Sequence, residues 1–175
     1  MNIVLLGYRG TGKSTVAKYL ARKLGRNVYR TDDLIVEAAG KPIPRIVEED
    51  GWPRFREIEA EVVREVCSRA EDAIIDCGGG VVLNDENTAR LKKRGRAVLL
   101  TASLEALMGR IRQDPNRPPL KEGLSFEEEQ RLILAEREEK YRAAADVVVD
   151  TTHHTPDKTA LEIIQYFKEK LWLAE

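Results

Sequence analysis

The residues best suited to chemistry stand near the start of the chain. Gly7-Tyr8-Arg9-Gly10-Thr11-Gly12-Lys13-Ser14 satisfies G-x-x-x-x-G-K-[ST] at every fixed position. Glycines at this spacing let backbone N–H groups converge on phosphate oxygens, and a helix starting directly behind them adds a favourable dipole. Gly10, Thr11, Gly12, Lys13, Ser14 and Thr15 would then surround the phosphates of ATP. Lys13 is suited to bridge the β- and γ-phosphates, and Ser14 to offer its hydroxyl to Mg²⁺. The pattern predicts a bound nucleoside triphosphate. It does not choose among GTPases, motor ATPases and kinases. No N-K-x-D segment follows to read guanine, and 175 residues is short for a motor ATPase, so a small kinase is the expectation.

Positioning such a loop requires a buried strand before it and an amphipathic helix after it. Residues 3–6 are a short, wholly apolar run, as expected of a strand covered on both faces. Val16, Tyr19, Leu20 and Leu24 then recur at helical spacing, with Gly25 as a stop. Further strand candidates lie at 27–29, 73–77, 97–101 and 147–149. Helical patterns fall between them: Phe55, Ile58, Val62 and Val66 mark one face, Ser103 can cap another helix, and Ser125 with Glu128 forms a capping box. Thr155 followed by Pro156 reads as an N-cap and first-turn proline. Strands alternating with helices predict an α/β three-layer sandwich around a parallel sheet of about five strands. One domain spanning 1–175 is expected.

Composition narrows the partners. Apolar residues make up 42% and charged residues 34%, with 29 Lys plus Arg against 30 Asp plus Glu. That balance gives no basis for a nucleic-acid binder. The apolar N-terminal run breaks at Gly7, too short for a signal-peptide core or a membrane span, so the cytoplasm is the expected location; a monomer is also expected, though nothing in the residues themselves speaks to oligomeric state. Cys67 and Cys77 lack metal-ligand spacing and read as buried thiols, and His153 and His154 as an exposed polar turn. The stretch from Gln113 to Gly123 is polar and proline-rich, which suggests a lid at about residues 112–124.

The order of the remaining motifs resembles the shikimate kinase family over nearly the whole chain. Arg30-Thr31-Asp32-Asp33-Leu34-Ile35 corresponds to its D-[ST]-D-x-x-I segment, and Gly51-Trp52-Pro53-Arg54-Phe55-Arg56-Glu57-Ile58-Glu59 to its G-x-x-x-F-R-x-x-E segment. Gly78-Gly79-Gly80 matches its glycine triplet, Arg117-Pro118-Pro119-Leu120 its lid, and Arg137 before Tyr141 its helical arginine. The resemblance implies a P-loop NTPase fold of the nucleoside-monophosphate-kinase type, ATP and Mg²⁺ as co-substrate and metal, and phosphorylation of the 3-hydroxyl of shikimate. It places the acceptor in a segment at about 32–62. Asp32 would orient the attacking hydroxyl and Arg56 and Arg137 would grip the carboxylate. Gly78, Gly79 and Gly80 would admit the substrate to the backbone, and Arg117 would close on the phosphates. Arg110 would stack near adenine, and Pro156 would line the base pocket. Glu59, one turn beyond Arg56, is suited either to orient it or to form a surface ion pair.

The chain departs from the family in places. Arg30 replaces an aspartate that holds the metal's water shell, and Asp76, at the end of the strand at 73–77, is suited to take that contact over. Trp52 and Pro119 also differ from the family pattern. The alternatives are another small-metabolite kinase of the gluconate kinase kind, or a nucleotide-binding regulatory module that has lost catalysis.

Overall fold

The computed structural model describes residues 1–111 and 123–173. Five parallel strands form one sheet in the order β2-β3-β1-β4-β5: β1 Asn2–Gly7, β2 Val28–Arg30, β3 Ile74–Asp76, β4 Gly95–Thr101 and β5 Val147–Asp150. Helices α1 Lys13–Leu24, α2 Thr31–Ala39, α3 Ile43–Arg69, α4 Asp85–Arg94, α5 Leu104–Ile111, α6 Phe126–Ala144 and α7 Pro156–Glu169 connect and cover it.

The central strand explains the layering. Successive side chains of a strand point to opposite faces. Ile3 and Leu5 pack in one core with Val16 and Leu20 of α1 and Ile163 and Phe167 of α7. Val4 and Leu6 pack in the other with Ile35 of α2, Phe55, Val62 and Val63 of α3, and Leu91 of α4. All four β1 side chains are at most 2% exposed. Such a strand needs an apolar residue at every position, which is why it lacks alternation.

The capping residues act as their types predict. Ser125 and Glu128 form the reciprocal capping box of α6, and the Thr155 hydroxyl accepts from Lys158 N at 3.3 Å at the start of α7. The helical face expected at residues 55–66 is part of a longer element. It belongs to the 27-residue α3, which breaks at Gly51 (φ 81°, ψ 167°), two residues before Pro53. A proline there has no usable N–H, so a fresh turn begins where the ladder would have been interrupted anyway.

Candidate active site

The loop between β1 and α1 opens onto a cavity of about 410 Å³. Gly7 leaves the strand at φ 144°, and a Cβ there would lie 2.4 Å from the carbonyl oxygen of Leu100. Only glycine fits this turn. Lys13 reaches back under the loop, its Nζ donating to the carbonyls of Gly7 (2.7 Å) and Tyr8 (3.0 Å). The first turn of α1 carries no acidic side chain, which preserves its affinity for anions.

The cavity gathers residues from distant parts of the chain. Its wall includes Gly10, Thr11, Gly12, Lys13, Ser14 and Thr15 of the loop, Arg30 and Asp32 from the β2–α2 junction, and Asp76, Gly78 and Gly79 at the end of β3. Arg110 and Pro156 close the far side. Arg110 donates to the carbonyls of Gly10 (3.2 Å) and Thr151 (2.8 Å), and so ties the loop to the β5–α7 connection.

Asp76 is 5% exposed and is the register partner of Arg30 on the neighbouring strand. Arg30 Nε lies 3.5 Å from Asp76 Oδ2, and Arg30 Nη1 lies 2.7 Å from Asp33 Oδ2. The cation that breaks the expected pattern thus faces the carboxylate expected to replace it. Next door, burial pushes the Cys77 thiol well above its ordinary range. Cys77 is therefore a neutral part of the wall, not a nucleophile.

A second group of charges adjoins this cavity around the glycine triplet. Arg56 Nη1 lies 2.7 Å from Glu59 Oε2, and Glu59 is 1% exposed, so this is no surface pair. Burial raises the Glu59 carboxyl above its usual range, with Arg56 and Arg137 pulling the other way and Asp32 adding to the rise. Four ionisable groups from α2, α3 and α6 therefore share one field. The glycines make room for them. A Cβ on Gly80 would sit 2.2 Å from Arg56 Nη2, and one on Gly78 would sit 2.6 Å from Asp32 Oδ1. Arg137 Nη1 donates to the Gly79 carbonyl at 3.3 Å. Tyr141 donates its hydroxyl to the same oxygen, and burial holds that hydroxyl protonated, its pKa pushed up to about 12.

Among the described residues, the nucleotide, acceptor and metal candidates taken from the sequence fall on these two adjoining clusters, whereas Cys67 lies in the core and His153 is exposed. Arg117 and Pro119 lie outside the described residues, as does most of the expected lid. Trp52 packs edge-on against Phe55 (5.4 Å between centroids) and 5.5 Å from the Arg56 guanidinium, so it buttresses that arginine. Sequence reasoning missed Thr31, whose hydroxyl accepts from Gly78 N at 2.9 Å and fixes the triplet to α2. It also missed His154 and Thr151, which line the cavity. His154 is half-buried there, while only His153 is exposed as expected. A threonine between Arg30 and Asp32 carried the one available signal for Thr31.

The parallel sheet, the phosphate-binding loop and an adjoining cluster of carboxylates and guanidinium groups define an ATP-dependent P-loop small-molecule kinase. A family model described as shikimate kinase matches residues 9–168. The shikimate kinase of Geobacter metallireducens is 41% identical over 167 residues, covering 95% of this chain and 92% of the relative. That of Thermodesulfovibrio yellowstonii is 40% identical, covering 95% of each chain. Among solved structures, shikimate kinase from Acinetobacter baumannii in complex with shikimate superposes with a TM-score of 0.90 at 34% identity, covering 97% of this chain and 93% of that one. The enzyme from Aquifex aeolicus gives 0.81 at 29% identity, covering 99% and 100%. The chain belongs to the shikimate kinase family.

Proposed function

We propose that the chain transfers the γ-phosphate of ATP to the 3-hydroxyl of shikimate, using the two clusters as nucleotide and acid sites. The observation that carries this reading is the packing of Arg56 against Gly80, with Asp32 against Gly78, at the edge of the P-loop cavity. Arg56 and Arg137 bind the acid's carboxylate, and the segment at about 32–62 frames it. Asp32 orients the attacking hydroxyl and takes its proton. The new bond joins the 3-oxygen to the γ-phosphorus, the bond to the β,γ-bridging oxygen breaks, and ADP leaves. Lys13 turns from the Gly7 and Tyr8 carbonyls to the phosphates. Arg117 is the lid cation of this reading, Arg110 and Pro156 hold the adenine side, and the enzyme acts as a cytoplasmic monomer. Among the described residues no helix is long and apolar enough to cross a membrane.

The cavity fits Mg²⁺. Magnesium takes one or two protein oxygens and completes its shell with phosphate and water. Ser14 and the nearly buried Asp76, whose Oδ2 now faces Arg30 Nε at 3.5 Å, would supply those oxygens, and among the described residues no group of three or more His, Cys, Asp or Glu is placed to hold a metal. Bound there, the ion would neutralise charge on the β- and γ-phosphates. In a coupled assay offering shikimate, gluconate or a nucleoside monophosphate, only shikimate should be turned over. Turnover of either competitor without shikimate would overturn the reading. In the same assay Asp76→Asn should shift the Mg²⁺ requirement upward, with a matching loss of Mg²⁺-dependent nucleotide binding by calorimetry. An unchanged Mg²⁺ titration would remove Asp76 from the metal site.

A further inference from the structure

Tyr8 and Arg9 occupy variable positions of the phosphate loop, yet both side chains are spent on α6. The Tyr8 hydroxyl donates to Gln130 Oε1, and Arg9 Nε donates to the same oxygen at 2.9 Å. Arg9 Nη2 lies 3.5 Å from Glu129 Oε2, which also accepts from Gln130 Nε2 at 2.8 Å. Gln130 is 0% exposed and Glu129 4%. The Arg9 guanidinium also lies 5.7 Å from the centre of the Phe126 ring. Buried polar groups of this kind fix one geometry, because losing any partner leaves another unsatisfied.

The same helix carries the acid site. Arg137 follows Gln130 by seven residues and Tyr141 by eleven, spacings that keep all three on one face of a helix. Both Arg137 and Tyr141 donate to Gly79 O. Helix α6 is thus fastened at its start to the nucleotide loop and two turns on to the glycine triplet. Lys13 Nζ holds the carbonyl of Tyr8, the residue that begins this chain of contacts. Phosphates that recruit Lys13 compete for the ammonium that holds that carbonyl.

We infer that Arg9, with Tyr8 and Gln130, is a positioning device that couples nucleotide binding to acid binding through α6. The inference rests on the functional reading above, in which the loop holds ATP and Arg137 holds shikimate. A bound nucleotide sets the loop, the loop sets α6, and α6 sets Arg137. By linkage, shikimate must strengthen nucleotide binding by the same factor.

Calorimetric titration of shikimate into the full chain, with and without saturating Mg·ADP, tests this. In the wild type ADP should tighten shikimate binding by about fivefold or more. Arg9→Lys keeps the positive charge but loses the planar fork whose Nε and Nη2 reach Gln130 and Glu129 from two separate nitrogens. That variant should bring the ratio to within about twofold of unity while each ligand alone binds within about threefold of wild type. Gln130→Met should do the same, with thermal unfolding checking its fold. A wild-type ratio of unity, or full coupling in Arg9→Lys, would overturn the inference. So would a fall in ADP affinity with the ratio intact, since that outcome makes Arg9 a direct phosphate ligand. No shikimate binding by the wild type would instead overturn the functional reading itself.

Discussion

Gly80 is a residue whose side chain is absent for the sake of another. Its backbone (φ −97°, ψ 2°) is open to alanine, so replacement carries little conformational penalty. The added Cβ would nevertheless occupy the place of the Arg56 guanidinium. Gly80→Ala should therefore spare the fold and displace the arginine. A charge-assisted hydrogen bond is worth roughly 1.5–3 kcal/mol, so the KM for shikimate should rise about tenfold or more. ATP affinity, which depends on the neighbouring loop, should stay within about twofold. A large drop in melting temperature with unchanged KM would contradict this account. Gly78 stands in the same relation to Asp32. The triplet makes room for the side chains beside it.

At the scale of elements, α3 brings a carboxylate into the interior beside the arginine it orients. Burial raises the Glu59 carboxyl above its ordinary value of 4.5, against the opposing pull of Arg56. The folded chain then holds this proton more tightly than the unfolded chain does. As pH climbs from the unfolded value through the raised folded one, this group removes stability. Glu59→Gln lacks that loss. The melting temperature of the variant relative to wild type should therefore increase from below pH 4.5 toward neutrality, and a flat difference would count against it. The 55–66 face of α3 was legible as a helix from its apolar spacing, and so were β1, α1, the capping box of α6 and the start of α7. Helix α2 was not, because it begins at Thr31 directly after β2 with no linker to separate the two patterns. Nor was α4, whose sequence DENTARLKKR holds a single large apolar residue, Leu91. The clamp of Tyr8 and Arg9 on α6 spans about 120 residues of sequence, and local spacing carries no sign of it.

The whole molecule divides its apolar residues between two sheet faces, and the two cysteines lie in the core on the α3 side. Cys67 is 7% exposed and Cys77 2%, and burial pushes both thiols up. The folded chain accordingly presents no ready thiolate. A thiol reagent can reach Cys77 only during excursions that bare the end of β3, so the rate of its labelling measures how often that region opens. In a Cys67→Ser background Cys77 should label slowly, and at once in denaturant. Because Cys77 borders the nucleotide cavity, an ATP analogue should slow labelling by about the factor 1 + [L]/Kd. Labelling indifferent to nucleotide would place the opening elsewhere. A wall residue with no part in catalysis thereby becomes a clock for the kinetics of the cavity it lines.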